Sequence, residues 1–475
     1  MPNDNTEGRV LADLRATAAA SDPGTRLPSV RELTARHRAS PVTVQQAITR
    51  LAAEGLVEPR PGRGTFVAPA SSAAEARRSL DADLSWQEVA LGAQTIDSGG
   101  LDTLLALPPD GAIPLSTGYL EPALQPTAAL SAAMTRAARR PGAWDRIAVE
   151  GLPELRAWFA AQTGGTVGAH DVVISPGGQS LLATAFRALG TPGDPVLVES
   201  PTYLGALAAA RSAGLRPVPL PTDTDGVRPD HLADTLQRTG ARLVYLQPTF
   251  ANPHGAVLTA DRRAAVLDAV HAAGAFVVED DCARVLALDA EPPPPLITGD
   301  RHGHVVHLRS LTKLAAPGLR IAAMCARGPA GARLRAARIV DDFFVSGPLQ
   351  QAALELVVSP AWRRHLKLLG GALRERRDAL AAAVADDLPG ARLRSLPGGG
   401  LHLWVTLPDG IDERATVAAA GATGVIVSPG RPWFCAQPPC GHLRLTFAGA
   451  PPERLGEGVR RLAEAVPALG QAPRG

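Results

Sequence analysis

The sequence is nearly without lysine: of 48 basic residues only Lys313 and Lys367 are not arginine. Aromatics make up 4%, and just four cysteines are spread over 475 residues. Thiols this sparse, with no CxxC pair, argue against a disulfide scaffold. Cys435 and Cys440 stand close in sequence but lack the further ligands of a metal site. His302, His304 and His307 run into an apolar strand, the first two sharing a face and the third pointing away, so no metal ligand set is read there. No apolar run approaches the ~18 residues that span a bilayer, and no basic segment leads into an apolar signal core at the N-terminus. These absences lead to the expectation of a soluble, cytoplasmic protein. A length of 475 residues implies two or three domains.

In a chain that has turned nearly every lysine into arginine, a surviving lysine points to chemistry arginine cannot do. Arginine stays protonated, whereas a lysine amine can lose its proton and attack a carbonyl to form a Schiff base. Lys313 stands in Ser310-Leu311-Thr312-Lys313, with Arg320 seven residues on. Lys367 lies in Arg363-Arg364-His365-Leu366-Lys367, which reads as the solvated face of an amphipathic helix.

Residues 26–63 hold seven arginines against three glutamates, a local charge that a phosphate backbone attracts. Ser29 and Glu32 form an S-x-x-E capping box that starts a short helix through Arg36. A second helix begins with Ser40 as N-cap and Pro41 at its first position. Its Val44, Ala47, Ile48 and Leu51 make one buried stripe, leaving Thr43, Gln45, Gln46 and Arg50 opposite. Glutamine can pair with adenine and threonine can touch a thymine methyl, so this face suits a major groove; a plain polar surface is the other reading. Arg60-Pro61-Gly62-Arg63-Gly64-Thr65-Phe66-Val67 then reads as a hairpin with arginine at its tip, a wing for a minor groove or for phosphates.

The run Arg26-Leu27-Pro28-Ser29-Val30-Arg31-Glu32-Leu33, then Thr43-Val44, Glu54-Gly55-Leu56-Val57 and Gly62-Arg63-Gly64-Thr65-Phe66-Val67, resembles the winged helix of GntR-type bacterial regulators. The resemblance implies DNA contacts from Arg31, Thr43, Gln45 and Gly64, beside Gln46 and Arg63 from the helix face and wing. That family often has arginine where this chain has Pro41. The reader is expected over 1–69 and a linker over 70–112, rich in Ala, Ser, Asp and Gly, in which Leu80, Leu84, Val89 and Leu91 place a helix but no chemistry.

From Ile113 onward short apolar runs alternate with Ala/Leu helices: Asp171 to Ile174, Pro195 to Val198, Leu243 to Leu246, Phe276 to Val278 and Val305 to Leu308. This is the pattern of a mostly parallel α/β sheet, whose sites collect beyond the carboxyl ends of the strands. Asn252, Asp280 and Lys313 fall there. Singly, Glu279-Asp280-Asp281 can be read as a metal-binding cluster and Asn252-Pro253-His254-Gly255 as a turn. Together they fit pyridoxal 5'-phosphate (PLP): Asp280 to hold the ring nitrogen protonated, Asn252 to donate to the phenolic oxygen, Lys313 to hold the aldehyde. Ser310 and Arg320 supply a hydroxyl and a cation for phosphate, and the Gly177-Gly178-Gln179-Ser180 turn supplies free amides. A Ser-x-x-Lys also occurs in β-lactamases and penicillin-binding proteins, but the S-D-N and K-T-G segments those need are missing.

Residues 113–465 resemble the fold-type I aminotransferases. Glu199-Ser200-Pro201-Thr202-Tyr203 matches the segment whose aromatic stacks on the cofactor, and Leu443-Arg444-Leu445-Thr446-Phe447 the one whose arginine grips a substrate carboxylate. Pro397-Gly398-Gly399-Gly400 and Val427-Ser428-Pro429-Gly430 resemble loops of the smaller domain. The union of both resemblances is that of the MocR, or PdxR-like, regulators. It implies an N-terminal winged helix-turn-helix plus an α/β fold-type I aminotransferase-like domain over 113–475, with a large mostly parallel sheet and a smaller C-terminal α+β part. It also implies PLP, promoter DNA, an amino-compound effector and a head-to-tail homodimer. Two positions depart from the pattern: Cys282 follows Asp281 where the segment usually carries a tyrosine, and Arg146 stands where a partner subunit's tyrosine often reaches the phosphate. Both put efficient transamination in doubt. The leading expectation is a PLP-dependent transcription regulator. The alternatives are an active aminotransferase with a DNA-binding appendage, and a DNA-binding protein whose second domain serves only dimerisation.

Overall fold

The computed structural model describes residues 4–68, 84–91 and 100–466. The chain divides into two compact units, Met1–Thr95 and Ile96–Gly475.

In the first unit, helices α1 (Asp4–Ala19), α2 (Val30–His37) and α3 (Pro41–Ala53) precede a hairpin of β1 (Val57–Arg60) and β2 (Gly64–Val67). Both expected caps form. The Glu32 amide donates to Ser29 Oγ at 3.3 Å, the Ser29 amide donates to Glu32 Oε2 at 2.7 Å, and the Thr43 amide donates to Ser40 Oγ at 3.1 Å. Val44, Ala47, Ile48 and Leu51 of α3 are buried against Val10, Leu11 and Leu14 of α1. Helix α1 was not legible in advance, because its apolar stripe is narrow within an Ala-, Asp- and Arg-rich stretch. Further on, the helix Trp86–Leu91 carries Val89 and Leu91, both exposed, while Leu80 lies outside the described residues.

In the second unit, β3 (Ile113–Pro114) leads to β4 (Val172–Ser175), β5 (Pro195–Ser200), β6 (Arg216–Asp223), β7 (Gly226–Val227), β8 (Leu243–Leu246), β9 (Phe276–Asp280), β10 (Val305–Ser310) and β11 (Ala322–Cys325). Eight of these form one sheet in the order β4-β11-β10-β9-β8-β5-β6-β7. The pairs from β10 through β6 are parallel, and β11 runs antiparallel to both neighbours. Alternate residues enter opposite layers: Val196, Val198, Leu243 and Tyr245 pack on one face, Leu197, Val244 and Leu246 on the other. Helices therefore cover both faces, as a parallel sheet requires.

The five expected strands form. Strands β6, β7 and β11 of this sheet were missed. Pro217, Pro219 and Pro221 argue against a central strand, yet β6 tolerates them because along these residues only β5 pairs with it. Strand β11 is the short Ala-Ala-Met-Cys, without the β-branched residues that mark strands. One expectation is corrected: β10 starts at Val305, so His302 and His304 precede it, and His307 alone lies within it.

The smaller part pairs β12 (Arg392–Leu393), β13 (His402–Thr406), β15 (Ser428–Pro429) and β16 (His442–Thr446) in an antiparallel sheet, while β14 (Val425–Ile426) pairs with β3. Lys367 is exposed on the helix Pro360–Asp387. Among the described residues no helix is long and apolar enough to cross a membrane.

Candidate cofactor and ligand site

Strands β4, β5, β8, β9 and β10 end around a cavity of about 390 Å³. It is lined by eight residues singled out from sequence: Gly178, Gln179, Tyr203, Asn252, Asp280, Ser310, Lys313 and Arg320. Tyr119, Leu182, Gln247, Cys282 and Thr312 complete the wall with Leu101 and Leu105. The last two come from the stretch read as linker, where the helix Leu101–Leu105 packs beside Tyr203, Trp404, Trp433 and Phe434. Its three leucines carry no chemical signature in the sequence.

The Lys313 ammonium donates to the Gly118 carbonyl at 2.7 Å and lies 4.1 Å from the centroid of the Tyr119 ring. A Cβ at Gly118 would come 3.3 Å from Nζ, so glycine gives the amine its room. Burial, then the charge of Arg444, push the Lys313 amine down to about 8. Asp280 is buried and accepts from Tyr245 Oη at 2.8 Å, Gln247 Nε2 at 3.2 Å and the Cys282 amide at 3.3 Å.

After β4 the chain turns at Gly177, φ +117°, into the helix Gly178–Leu189. A Cβ there would meet Arg320 Nη2 at 2.2 Å, so glycine permits the guanidinium to lie against the helix N-terminus. Two kinds of anion-binding group, free amides and a cation, thus converge.

Arg444 is 1% exposed. It donates to Asn252 Oδ1 at 3.3 Å, to His402 Nε2 at 3.2 Å and to the Ser116 carbonyl, and its guanidinium carbon lies 4.3 Å from the centroid of the Trp433 ring. Because arginine only donates, Asn252 must present its carbonyl to Arg444, which leaves its amide donor for the cavity. Burial, then the charge of Arg444, hold His402 well below its usual range, in keeping with a neutral acceptor. Arg444 Nε has no partner, and among the described residues no carboxylate pairs with the group. A buried cation so placed lacks only an anion.

Arg146 does not join this cavity. It is exposed in the loop before the helix Pro153–Thr163. In the first unit Arg31, Gln45, Gln46 and Arg63 are exposed. Thr43 is half-buried, its hydroxyl 2.8 Å from Ser40 Oγ, so it serves the helix cap. Gly64 has φ +112°, and a Cβ there would come 2.9 Å from Arg26 Nε.

Residues 115–462 match the family model described as aminotransferase class I and II, and residues 6–67 that of bacterial regulatory proteins, gntR family. The chain belongs to the class I and II aminotransferases, in the MocR-type branch headed by a GntR reader. The HTH-type transcriptional regulator YdfD of Bacillus subtilis is 27% identical across 92% of this MocR-type chain and 91% of its own length. The 2-aminoadipate transaminase of Thermus thermophilus is 31% identical over 81% of this chain and 98% of its own. The crystal structure of the α-aminoadipate aminotransferase LysN from Thermus thermophilus, complexed with N-(5'-phosphopyridoxyl)-L-leucine, superposes with a TM-score of 0.75 at 31% identity, covering 81% of this chain and 99% of that one.

PLP is the cofactor of this MocR-type chain, and the GntR domain makes it a DNA-binding protein. The cavity fits PLP on its own terms. Thr312 Oγ1 is buried without a partner beside Ser310 and Arg320, as a phosphate oxygen would require. Sequence reading missed Thr312, Tyr119, Gln247 and His402; Thr312 alone had a signal, its place between Ser310 and Lys313.

Proposed function

We propose that the chain is a transcription regulator that senses PLP and an amino compound through the Lys313 site. When bound, PLP supplies an aldehyde that condenses with amines and a pyridinium ring that withdraws electrons. Lys313 Nζ holds the aldehyde carbon, and Asp280 holds a proton on the ring nitrogen. Asn252 donates its free amide to the phenolic oxygen, and Tyr203 covers a ring face. Arg320, Ser310, Thr312 and the Gly178 and Gln179 amides hold the phosphate, with Arg146 reaching a partner subunit's phosphate in a head-to-tail homodimer. Arg444 binds the effector carboxylate. Arg31, Gln45, Gln46, Arg63 and Gly64 meet promoter DNA, with Thr43 shaping the start of the recognition helix. A reader of promoters works where the chromosome is, in the cytoplasm.

The observation that carries this reading is the convergence of Lys313, Asp280 and Asn252 on one cavity, on a chain with a GntR reader. An absorbance titration with PLP tests it. Wild type is expected to develop the band of lysine-bound PLP and Lys313→Ala to lack it; equal spectra for both would overturn the reading. The second reading, an active aminotransferase with a DNA-binding appendage, draws on the buried Arg444, which has no carboxylate partner among the described residues. It requires multiple turnovers of an amino acid with a 2-oxo acid, abolished by Lys313→Ala.

A further inference from the structure

Asp280 owes its position to the strand beside it. Tyr245 and Gln247 are two residues apart at the end of β8, so their side chains leave the same face. Strand β9 runs parallel in the register Tyr245 to Val278 and Leu246 to Glu279, which brings the next step, Gln247, alongside Asp280. Neither residue was singled out from the sequence.

Tyr245 is fully buried, its ring edge-on to Phe186 with centroids 6.1 Å apart. In a layer of aliphatic side chains its hydroxyl reaches the Asp280 carboxylate at 2.8 Å. Burial, then the Asp280 charge, raise the Tyr245 phenol well above its usual value, so it stays a neutral donor. Gln247 works in three directions. Its Nε2 donates to Asp280 Oδ2 at 3.2 Å, its Oε1 accepts from the Asn252 amide at 3.2 Å, and its own backbone amide donates to Glu199 Oε2 at 2.6 Å. The Gln247 amide thus bridges Asp280, proposed to face the ring nitrogen, and the backbone of Asn252, proposed to face the phenolic oxygen. Asp280 Oδ2 takes both the Tyr245 and the Gln247 bond, and the Cys282 amide donates to Oδ1.

We propose that Tyr245 and Gln247 are positioning residues for the cofactor: together they fix the Asp280 carboxylate, and Gln247 ties that carboxylate to Asn252 as one rigid bracket. This rests on the proposed role of Asp280. Hydrogen bonds to a charged group are among the stronger ones, and supports behind a binding group shift affinity by about tenfold or more. A fixed carboxylate also governs how firmly the ring nitrogen keeps its proton, and hence the pH at which the bound cofactor's absorbance changes.

The test uses the full-length protein, PLP titration and a pH titration of the bound band. Tyr245→Phe, which removes only the hydroxyl, is expected to weaken PLP binding about tenfold and to move the pH midpoint of the band. Gln247→Met is expected to do the same through the other bond. In an Asp280→Asn background, Tyr245→Phe is expected to change affinity less than about twofold, since its partner's charge is already gone. A role in folding alone predicts equal losses in both backgrounds and an unmoved midpoint, and either result overturns the proposal. Wild-type affinity and midpoint in both Tyr245→Phe and Gln247→Met would do so too. Absence of any band in wild type is a separate failure: it removes the cofactor reading itself.

Discussion

The amine of Lys313 offers the sharpest quantitative test. Burial and the nearby Arg444 charge bring it from 10.5 down to about 8. At pH 7 the neutral, nucleophilic fraction is then roughly 9%, against roughly 0.03% for an unperturbed lysine, a gain of about 300-fold. Capture of PLP by the apo-protein, followed by stopped-flow absorbance from pH 6 to 10, is expected to speed up with pH and level off above about 8. Arg444→Met removes one of the cations that disfavour a charged Lys313, so the midpoint is expected to rise, by on the order of one pH unit. The substitution leaves Asp280 and Arg320 in place, so the cofactor should still bind. A wild-type midpoint near that of free lysine, or a midpoint that Arg444→Met leaves unmoved, would falsify the argument that Arg444 tunes this amine.

Three further outcomes follow from individual contacts. Gly177→Ala forces a Cβ to 2.2 Å from Arg320 Nη2 at φ +117°, and is expected to weaken PLP binding at least about tenfold in an absorbance titration. Ser40→Ala removes the side-chain acceptor for the Thr43 amide and should cost α3 about 1 kcal/mol, read as roughly fivefold faster amide exchange along that helix in the intact chain. Burial, eased by the Gln247 amide, pushes the Glu199 carboxyl up to about 8, above its ordinary 4.5. The folded state therefore holds a proton that the unfolded state releases, and the associated stability, present below about 4.5, is lost as pH rises through 8. Thermal melts of Glu199→Gln should lack that decline; a parallel decline in both proteins would refute it.

Most of the cofactor cavity was legible because its chemistry sits at strand ends and in loops with distinctive residue types. Lys313 stood out against an arginine background, Asp280 ended an apolar run, and Gly177-Gly178 announced a turn into a helix. The winged reader was legible through its caps, since Ser29, Glu32 and Ser40 act on amides three residues away. What stayed hidden depends on distant packing. Tyr245 looks like one more apolar strand residue until β9 brings Asp280 to its hydroxyl. His402 becomes a partner of Arg444 only through the pairing of β13 with β16. Leu101 and Leu105 carry no chemical signature, and only the fold brings them to the cavity wall. The prolines of β6 misled because edge-like pairing is a property of the whole sheet.

The most direct test of a PLP-sensing regulator is the affinity of the full-length protein for DNA from upstream of its own gene, measured by fluorescence anisotropy at fixed salt. Apo-protein, PLP-loaded protein and Lys313→Ala with PLP would be compared. The account predicts that PLP changes the apparent Kd or the stoichiometry for wild type, and that Lys313→Ala with PLP behaves as the apo-protein. Identical binding by all three, or no specific binding by any, would contradict it.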